Sequence, residues 1–282
     1  MLWSTIKGLY SEAAMNPDID QVMACLEEMA PARLAEEWDN PGVQVKAYSG
    51  PVRRILLALD PTLEAVRQAA REKADILLTH HPLIFRPLSS IVDDTFPGDA
   101  VQEAVKSSVT VISAHTNLDS ARGGINDILA ALFGLTGLEV LEPSRDGMEG
   151  CGLGRVGDLP RALPLSALVK EAKRIFGAET LRVCGPEDLL VERLAVVGGS
   201  GGSLGARALR QGAQALLTGD VGHHDALACS GMGLAVIDAG HFDTEFTALQ
   251  GFKEALTSRF KSLGWEVRVE IHQGEASPMR WM

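Results

Sequence analysis

Continuous apolar runs alternate with segments of helical spacing in the first half of the chain. Residues 55–59 (ILLAL) and 76–79 (ILLT) are rich in aliphatic side chains and predict strands that are buried on both faces. Between them, apolar residues recur at helical spacing, which predicts a helix over about 63–73. A second helix near 99–107 leads to a third strand at 110–114. Strands that alternate with helices in this way predict a mostly parallel sheet covered by helices.

The second half of the chain repeats this order. Residues 53–83 and 192–227 both read as strand, loop, helix, strand and threonine, followed by a polar loop that contains two adjacent histidines. Residues 109–119 and 234–245 repeat the next strand and the polar residues that follow it. The identity between the copies is weak, but the order of the elements is the same, so we expect two related units.

A polar segment at 141–150 (LEPSRDGMEG) separates the two copies. It contains proline and glycine and shows no periodicity, which is typical of a boundary. We therefore predict an α/β protein with two related lobes, residues 20–140 and 151–275, whose sheets are mixed but mostly parallel. In the first lobe we expect an initial helix over 21–36, followed by a turn in which Trp38 serves as a packing anchor.

Composition narrows the class of protein and of partner. The 282 residues are 46% hydrophobic and 22% charged, which is ordinary for a folded protein with an ample core. Lys and Arg number 26 against 37 Asp and Glu, so the net charge is −11 and a nucleic-acid partner is disfavoured.

The expected compartment is the cytoplasm. The four cysteines form no Cys-x-x-Cys pair, which favours free thiols in a reducing compartment over disulfides or a thiolate zinc site. Residues 1–15 do not resemble a secretion signal, and no apolar run is long enough to span a membrane. We therefore expect a cytoplasmic protein without a membrane partner.

Several residues that can bind metals directly follow the predicted strands. In open α/β sheets, ligands bind at the carboxyl ends of the strands. Six of the seven histidines fall in four loops of this kind, and His272 lies outside them. Imidazole and carboxylate groups together favour zinc, iron, manganese or cobalt over calcium. The predicted ligands are His80, His81, Asp119, His241 and Glu245.

Each of these residues also has an ordinary structural explanation. A single histidine at the end of a strand is more often a capping or core residue than a ligand. Asp119 precedes a turn that contains glycine, and Glu245 fits the first turn of a helix, where carboxylates are common. From the residues alone, a metal site and a set of structural roles remain alternatives.

The spacing of the candidates bears on the number of ions. On an extended backbone the rings of His80 and His81 point to opposite sides, which suits two ions better than one. His241 and Glu245 are four residues apart and share a face if a helix has begun there. Two divalent ions close together need anions between them, which makes Asp119 and Glu245 the predicted bridging ligands.

Three further histidines lie near the same edge. His115 could orient Asp119 or a bound water. For His224, which shares a loop with Asp220, we favour a role beside the ligands or toward the substrate, while His223 should face solvent. None of these is predicted to bind a metal directly.

A glycine-rich segment at 198–203 (GGSGGS) follows another predicted strand. Its N–H groups could cradle an anion, or the segment could be a tight turn. It matches neither the dinucleotide-binding motif nor the P-loop motif, and the chain has no Gly-x-Ser-x-Gly elbow of a serine hydrolase. The role of this segment stays open.

Five segments carry a resemblance to a known family. They are EEWDNPG at 36–42, LTHHPL at 78–83, HTNLD at 115–119, TGD with HDA within 218–226, and GHF with a glutamate within 240–245. In this order they resemble the Nif-three-like (NGG-interacting-factor-three-like) dinuclear metal-centre proteins. Bacterial members of that family carry the label GTP cyclohydrolase 1 type 2 homolog.

The resemblance implies a subunit of two α/β lobes with two divalent metal ions in the cleft between them, and a ring-shaped homohexamer. It assigns the ligands to the same five residues that the strand ends indicate: His80, His81, Asp119, His241 and Glu245. The identity of the metal stays open among zinc, iron and manganese. The sequence departs from longer relatives, which carry an extra domain between the lobes, and has Pro41 and Lys46 where we would expect apolar or glycine residues.

Two functions from different classes follow. The first is a metal-dependent hydrolase of a nucleotide or another phosphorylated small molecule, because a pair of metal ions can activate water and stabilise negative charge. The second is a non-catalytic metal-binding or regulatory protein that forms a ring. Binding of duplex nucleic acid by such a ring is disfavoured by the net charge of −11. The residues themselves identify neither guanine nor any other substrate.

Overall fold

A computed structural model describes residues 16–279 of the chain. Residues 1–15, for which the sequence predicts no secretion signal, lie outside the described residues. The first part of the chain contains α1 (Ile19–Met29), β1 (Gly42–Val45), β2 (Arg54–Ala58), α2 (Leu63–Arg71), β3 (Ile76–Thr79), α3 (Gly98–Lys106), β4 (Thr110–Ser113), α4 (Thr116–Ser120) and α5 (Ile125–Leu132). The second part contains β5 (Thr136–Pro143), β6 (Gly152–Pro164), α6 (Leu165–Phe176), β7 (Arg182–Cys184), β8 (Leu190–Ser200), α7 (Gly205–Arg210), β9 (Ala215–Gly219), α8 (His223–Gly231), β10 (Ala235–Asp238), α9 (His241–Ser262) and β11 (Arg268–Ile271).

Two mixed sheets organise these elements. The first has the order β1-β4-β3-β2-β11, in which only β1 is antiparallel to its neighbour. The second has the order β5-β6-β8-β9-β10-β7, in which β8, β9 and β10 are parallel and the other three strands pair antiparallel. The predicted α/β class with mixed sheets is therefore confirmed, and the two sheets are only partly parallel.

The two sheets contain the same four-stranded unit. In the first sheet the order β1-β4-β3-β2 places an antiparallel edge strand beside the last of three parallel strands. The second sheet repeats this as β7-β10-β9-β8. The internal repeat predicted from the sequence thus has a structural counterpart, and equivalent polar residues follow equivalent strands.

Sheet membership crosses the predicted lobe bounds of 20–140 and 151–275 at two places. β11 lies within the predicted second lobe but pairs with β2, at the edge of the first sheet. β5 begins within the predicted first lobe and includes part of the segment expected to be a boundary, yet it pairs with β6 in the second sheet. Each strand satisfies main-chain hydrogen-bonding groups of its neighbour, a contact that local periodicity does not report. The lobe bounds themselves stay a prediction.

The core forms three clusters separated by the sheets. Alternate residues of β2 face opposite sides, so Ile55 and Leu57 join the central cluster while Leu56 and Ala58 face α2 and α3. The central cluster also takes in α1, α5, α6 and α9, and a third cluster lies between the second sheet, α7 and α8. The long helix α9 packs in the central cluster, which fixes the position of the residues at its start.

The first helix is shorter than the predicted 21–36. The Asp18 carboxylate accepts a hydrogen bond from the Gln21 N–H, and the Gln21 side chain bonds the Asp18 N–H in return, so the helix begins with a capping box. It ends at Met29 because Pro31 has no N–H and disfavours a helical residue before it. Within residues 16–279 no helix combines the length and apolar character needed to cross a bilayer.

Candidate metal centre

The predicted ligands follow parallel strands of both sheets. His80 and His81 come immediately after β3, and their N–H groups donate to the carbonyl oxygens of Ala58 and Leu59 at 3.1 and 3.0 Å, which continues the strand. Asp119 lies in α4, after β4. After β10, α9 starts at residue 241 and carries Glu245 in its first turns. The carboxyl ends of both sets of strands therefore meet at one place.

The five residues converge on one another through their side-chain ends. His80 Nε2 lies 3.5 Å from Asp119 Oδ1 and 3.6 Å from Glu245 Oε1. Glu245 Oε2 lies 3.1 Å from His81 Nε2 and 3.0 Å from His241 Nε2. His81 Nε2 and His241 Nε2 are 3.3 Å apart. Glu245 thus presents one oxygen to His80 and the other to the remaining histidine pair.

Three overlapping groups of these side chains could hold a metal ion, each with ligand atoms within 4.8 Å of one another. The groups are His80 with Asp119 and Glu245, His81 with His241 and Glu245, and His80 with His81 and His115. Glu245 therefore faces both His80 and the His81–His241 pair, as a bridging ligand would. The sequence also suggested Asp119 as a bridge. Among the residues that the structure describes, His80 is the one histidine with which Asp119 forms a close pair, at 3.5 Å.

His115 lies closer to the centre than its predicted orienting role required. Its ring centroid is 5.2 Å from that of His80 and 5.4 Å from that of His81. The side chain belongs to one of the three potential metal-binding groups. His115 is therefore positioned as a potential ligand and not only as an orienting residue.

The four histidines of the candidate metal centre all donate their Nδ1–H to an oxygen atom. Taken in the order His80, His81, His115 and His241, the acceptors are the Ala114 carbonyl at 2.9 Å and the carboxylates of Asp60 at 2.8 Å, Asp39 at 2.7 Å and Asp220 at 2.8 Å. With Nδ1 protonated, the neutral ring carries its lone pair on Nε2. These hydrogen bonds therefore fix both the ring orientation and the tautomer that a metal ligand needs.

The three orienting carboxylates were not identified from the sequence. Asp60 lies two residues after β2, just as His81 lies two residues after β3, so its position at a strand end was a usable signal. Asp220 was noted only as a neighbour of His224, although it contacts His241 instead. Asp39 reaches His115 across 76 residues, and no local pattern reports that contact.

The predicted role of His224 beside the ligands finds no contact in the structure. His223 and His224 are exposed at the start of α8, with their rings 5.5 Å apart, and neither belongs to the metal-binding groups found among the described residues. His223 faces solvent as expected. Helix α8 begins at this pair, and the alternative role of His224, toward a substrate, stays a prediction.

The glycine-rich segment makes room for the cluster. Residues 198–200 are the last of β8 rather than a loop. Three N–H groups of this segment already have acceptors: Gly198 donates to Asn126 Oδ1, Gly199 to Thr244 Oγ1 and Gly201 to Thr218 Oγ1. An anion cradle would need these groups free. A Cβ on Gly199, which has φ +64°, would lie 2.2 Å from Glu245 Oε1.

Burial removes the polar groups of the cluster from water, which makes their charges costly unless they are paired. His80, Asp119 and Glu245 are 1%, 7% and 3% exposed. Three buried atoms of the cluster form no hydrogen bond in the described part of the chain: His80 Nε2, Asp119 Oδ1 and Glu245 Oε2. An unsatisfied buried polar group costs about 1–3 kcal/mol. His80 Nε2 faces Asp119 Oδ1, and Glu245 Oε2 faces the Nε2 atoms of His81 and His241. Cations held between these groups would satisfy all three atoms.

The charges of the cluster favour cations. Burial disfavours the charged carboxylate, but nearby His80, His241 and His81 hold the pKa of Glu245 well below its usual value. Burial opposes ionisation of His81 as well, yet the hydrogen bond to Asp60 and the close approach of Glu245 raise its pKa to about 10. The close approach of Glu245 raises the pKa of His241 to about 9. A metal ion that binds these nitrogens would have to displace protons from them.

Burial acts differently on the other carboxylate. Desolvation, together with the charge of Glu245, raises the pKa of Asp119. An uncompensated carboxylate at this depth is costly, and a divalent ion is the kind of partner that offsets the cost. The donor set of imidazole nitrogens and carboxylate oxygens fits a transition-metal ion.

A cavity of about 890 Å³ opens beside the cluster. Its walls include His81 and His241 with their orienting partners Asp60 and Asp220, and Arg182 lies on another wall. Cavities of about 300–1,000 Å³ are typical of small-molecule sites. A small molecule in this space would contact the exposed edge of the potential metal centre.

Known proteins resemble the chain over nearly its whole length. Residues 17–278 match the model of the Duf34/NIF3 (NGG1p interacting factor 3) family. A Clostridium acetobutylicum protein named GTP cyclohydrolase 1 type 2 homolog is 31% identical over 267 residues, which are 95% of this chain and 100% of that protein. A Streptomyces coelicolor protein of the same name is 35% identical over 266 residues, 93% of each chain. The crystal structure of a Bacillus cereus protein related to NIF3 aligns with TM-score 0.88 at 25% identity, covering 95% of this chain and 100% of that one.

Gly199→Ala tests whether this glycine makes room for Glu245. The new Cβ would clash with Glu245 Oε1, so we expect the variant to fold but to lose most of its bound metal when loaded with Zn²⁺ and measured by elemental analysis. Gly264→Ala is the matched control, because Gly264 also has positive φ but open space around it. Equal metal content in both variants would contradict the assigned role.

Asp60→Asn tests the orienting carboxylates. The substitution removes the charged oxygen that accepts the His81 Nδ1–H and fixes the ring. The amide that replaces it can also turn an N–H toward the ring. We expect Zn²⁺ affinity, measured by competition with a chelating dye, to fall about 10–100-fold while the circular dichroism spectrum is unchanged. Asp188→Asn, at an exposed position, should leave the affinity at the wild-type value. Wild-type affinity in Asp60→Asn would rule out the orienting role.

Proposed function

The chain belongs to the Duf34/NIF3 family, and on that premise we propose that it is a metal-dependent hydrolase of a nucleotide or another phosphorylated small molecule. In this proposal two divalent transition-metal ions are held by His80, His81, Asp119, His241 and Glu245. The observation that carries it is the convergence of three buried, unpaired ligand atoms beside a cavity of about 890 Å³.

The side chains divide into two ligand sets. His80 and Asp119 would hold one ion, His81 and His241 the other, and Glu245 would bridge them with its two oxygens. His115 would complete the coordination on the side of the His80–His81 pair. His81 and His241 are 22% and 33% exposed through their side chains, so solvent and substrate can approach the second set.

A pair of such ions, when bound, lowers the pKa of water and stabilises the charge that builds during hydrolysis. The residues of the chain supply orientation. Asp39, Asp60 and Asp220 keep three imidazole Nε2 atoms directed at the centre. Because these bonds exist before a ligand arrives, little reorganisation is needed when a substrate enters.

The names of the relatives support hydrolysis of a nucleotide. Two of them are named GTP cyclohydrolase 1 type 2 homolog, and opening of a purine ring by water is one reaction that a water-activating metal pair could perform. A shared name is weaker support for the substrate than for the site. Zinc, iron and manganese all fit the donor set, and we propose no choice among them.

We also propose that the subunits form a homohexameric ring in the cytoplasm. The support for the ring is the family resemblance of the sequence, which implies that assembly. Light scattering of the full chain should give a mass six times that of one subunit. A monomer or dimer at micromolar concentration would contradict this.

Glu245→Ala and His81→Ala test the ligand assignment. Each removes a side chain that faces the cation position, so we expect loss of metal by elemental analysis with an unchanged circular dichroism spectrum. His223→Ala is the matched control, since His223 is exposed and lies outside the potential metal-binding groups of the described residues. Wild-type metal content in either test variant would show that the residue is not a ligand.

Turnover tests the catalytic proposal directly. Metal-loaded protein is incubated with nucleoside triphosphates, nucleoside monophosphates and sugar phosphates, and products are separated by chromatography. We expect conversion of at least one compound by wild-type protein and none by Glu245→Ala. If no compound is converted and none raises the melting temperature, the non-catalytic metal-binding protein becomes the better explanation.

A further inference from the structure

Two large aromatic side chains are exposed next to the candidate metal centre. Trp38 is 57% exposed and Phe85 is 43% exposed. Their ring centroids are 5.8 Å apart at an angle of 62°, and Trp38 also meets the ring of His115 at 5.9 Å and 71°. Trp38 is therefore not the packing anchor that the sequence suggested. Its ring forms the rim of the cluster on the side of His115.

The backbone around Trp38 is fixed by the same residues that fix the cluster. The carboxylate of Asp39, whose side chain is fully buried, accepts hydrogen bonds from His115 Nδ1–H at 2.7 Å and from the N–H and hydroxyl of Thr116. The Glu36 N–H donates to Thr116 Oγ1 at 2.9 Å. Trp38 lies between these two attachment points, so its position is set relative to His115.

Phe85 is tied to the same turn. The Asn40 side-chain amide donates to the Ile84 carbonyl oxygen at 2.6 Å, and the Ile84 N–H donates to Gln44 Oε1 at 3.0 Å. These bonds attach the residue before Phe85 to the segment that follows Trp38. The two rings are thus held in an edge-to-face arrangement without being buried, which leaves aromatic surface open to solvent.

We propose that Trp38 and Phe85 form a stacking subsite for a planar heteroaromatic ring of the substrate, whose polar end reaches the ions at His115 and His81. This inference rests on the proposed metal-dependent function and names the class of molecule on which it acts. A fixed, exposed aromatic ring offers its face to any planar ring at low entropic cost. If the substrate is a nucleotide, its base would stack on Trp38 and Phe85, and its sugar phosphate would reach the metal centre.

The position of the subsite favours a small ligand over a protein partner. Trp38 touches His115, and the ring of His115 is 5.4 Å from that of His81, which lines the cavity of about 890 Å³. A molecule of nucleotide size could therefore span from the aromatic rim to the cavity. Burial of the same rings against a second copy of the chain would be an alternative use, and the experiment separates the two.

The test compares ligands that share ribose 5-phosphate and differ only in the ring. GMP, AMP and nicotinamide mononucleotide are titrated against ribose 5-phosphate by calorimetry, with Zn²⁺-loaded full-length protein. In wild-type protein at least one ring compound should bind about tenfold or more tightly than ribose 5-phosphate, as expected for stacking on an aromatic side chain. In Trp38→Leu this ratio should fall close to one, in Trp38→Phe most of it should remain, and in Phe85→Leu it should fall in part.

Val105→Leu, at an exposed position on α3, is the control and should keep the wild-type ratio. The proposal is overturned if no ring compound exceeds ribose 5-phosphate in wild-type protein, or if the ratio survives in Trp38→Leu. A change in oligomeric mass of Trp38→Leu by light scattering would also overturn it, in favour of an interface between copies. Metal content is measured on the same samples, so failure of metal binding and failure of stacking are separate results.

Discussion

Two buried carboxylates and four imidazoles face one another in this protein, and they can do so only with positive charge among them. His81 Nε2 and His241 Nε2 are 3.3 Å apart, and both lie about 3 Å from one oxygen of Glu245. If both rings were neutral and protonated on Nδ1, lone pairs would face lone pairs. Charge buried without compensation costs several kcal/mol, so protons or metal ions belong to the folded state.

The repeated strand unit brings the residues of the candidate metal centre together, and its two copies supply different kinds of residue. In each unit the second parallel strand carries a threonine near its end, Thr79 as the last residue of β3 and Thr218 as the last but one of β9. Two residues later stands His81 in the first unit and Asp220 in the second, so one copy supplies a candidate ligand and the other an acceptor that orients His241. The centre is therefore asymmetric although the frame around it is repeated.

One buried carboxylate links the cluster to its aromatic rim. Asp39 accepts the His115 Nδ1–H and also fixes the turn that carries Trp38. Orientation of a potential ligand and placement of an exposed ring thus depend on the same hydrogen bonds. This coupling explains why a residue as large as Trp38 keeps a defined position while more than half of it is exposed.

Local pattern in the sequence determined the strands, the repeat, and the polar residues at the strand ends, because periodicity reports which residues are buried and where a strand must stop. That was enough to nominate five residues that the fold brings together, including His80 and Glu245. It could not show that Glu245 faces both His80 and the His81–His241 pair, pair β11 with β2, or join Asp39 to His115 across 76 residues. Nor could it tell that Trp38 is exposed. Those features depend on how distant segments pack against each other, and only the tertiary structure decides which side chains then share one space.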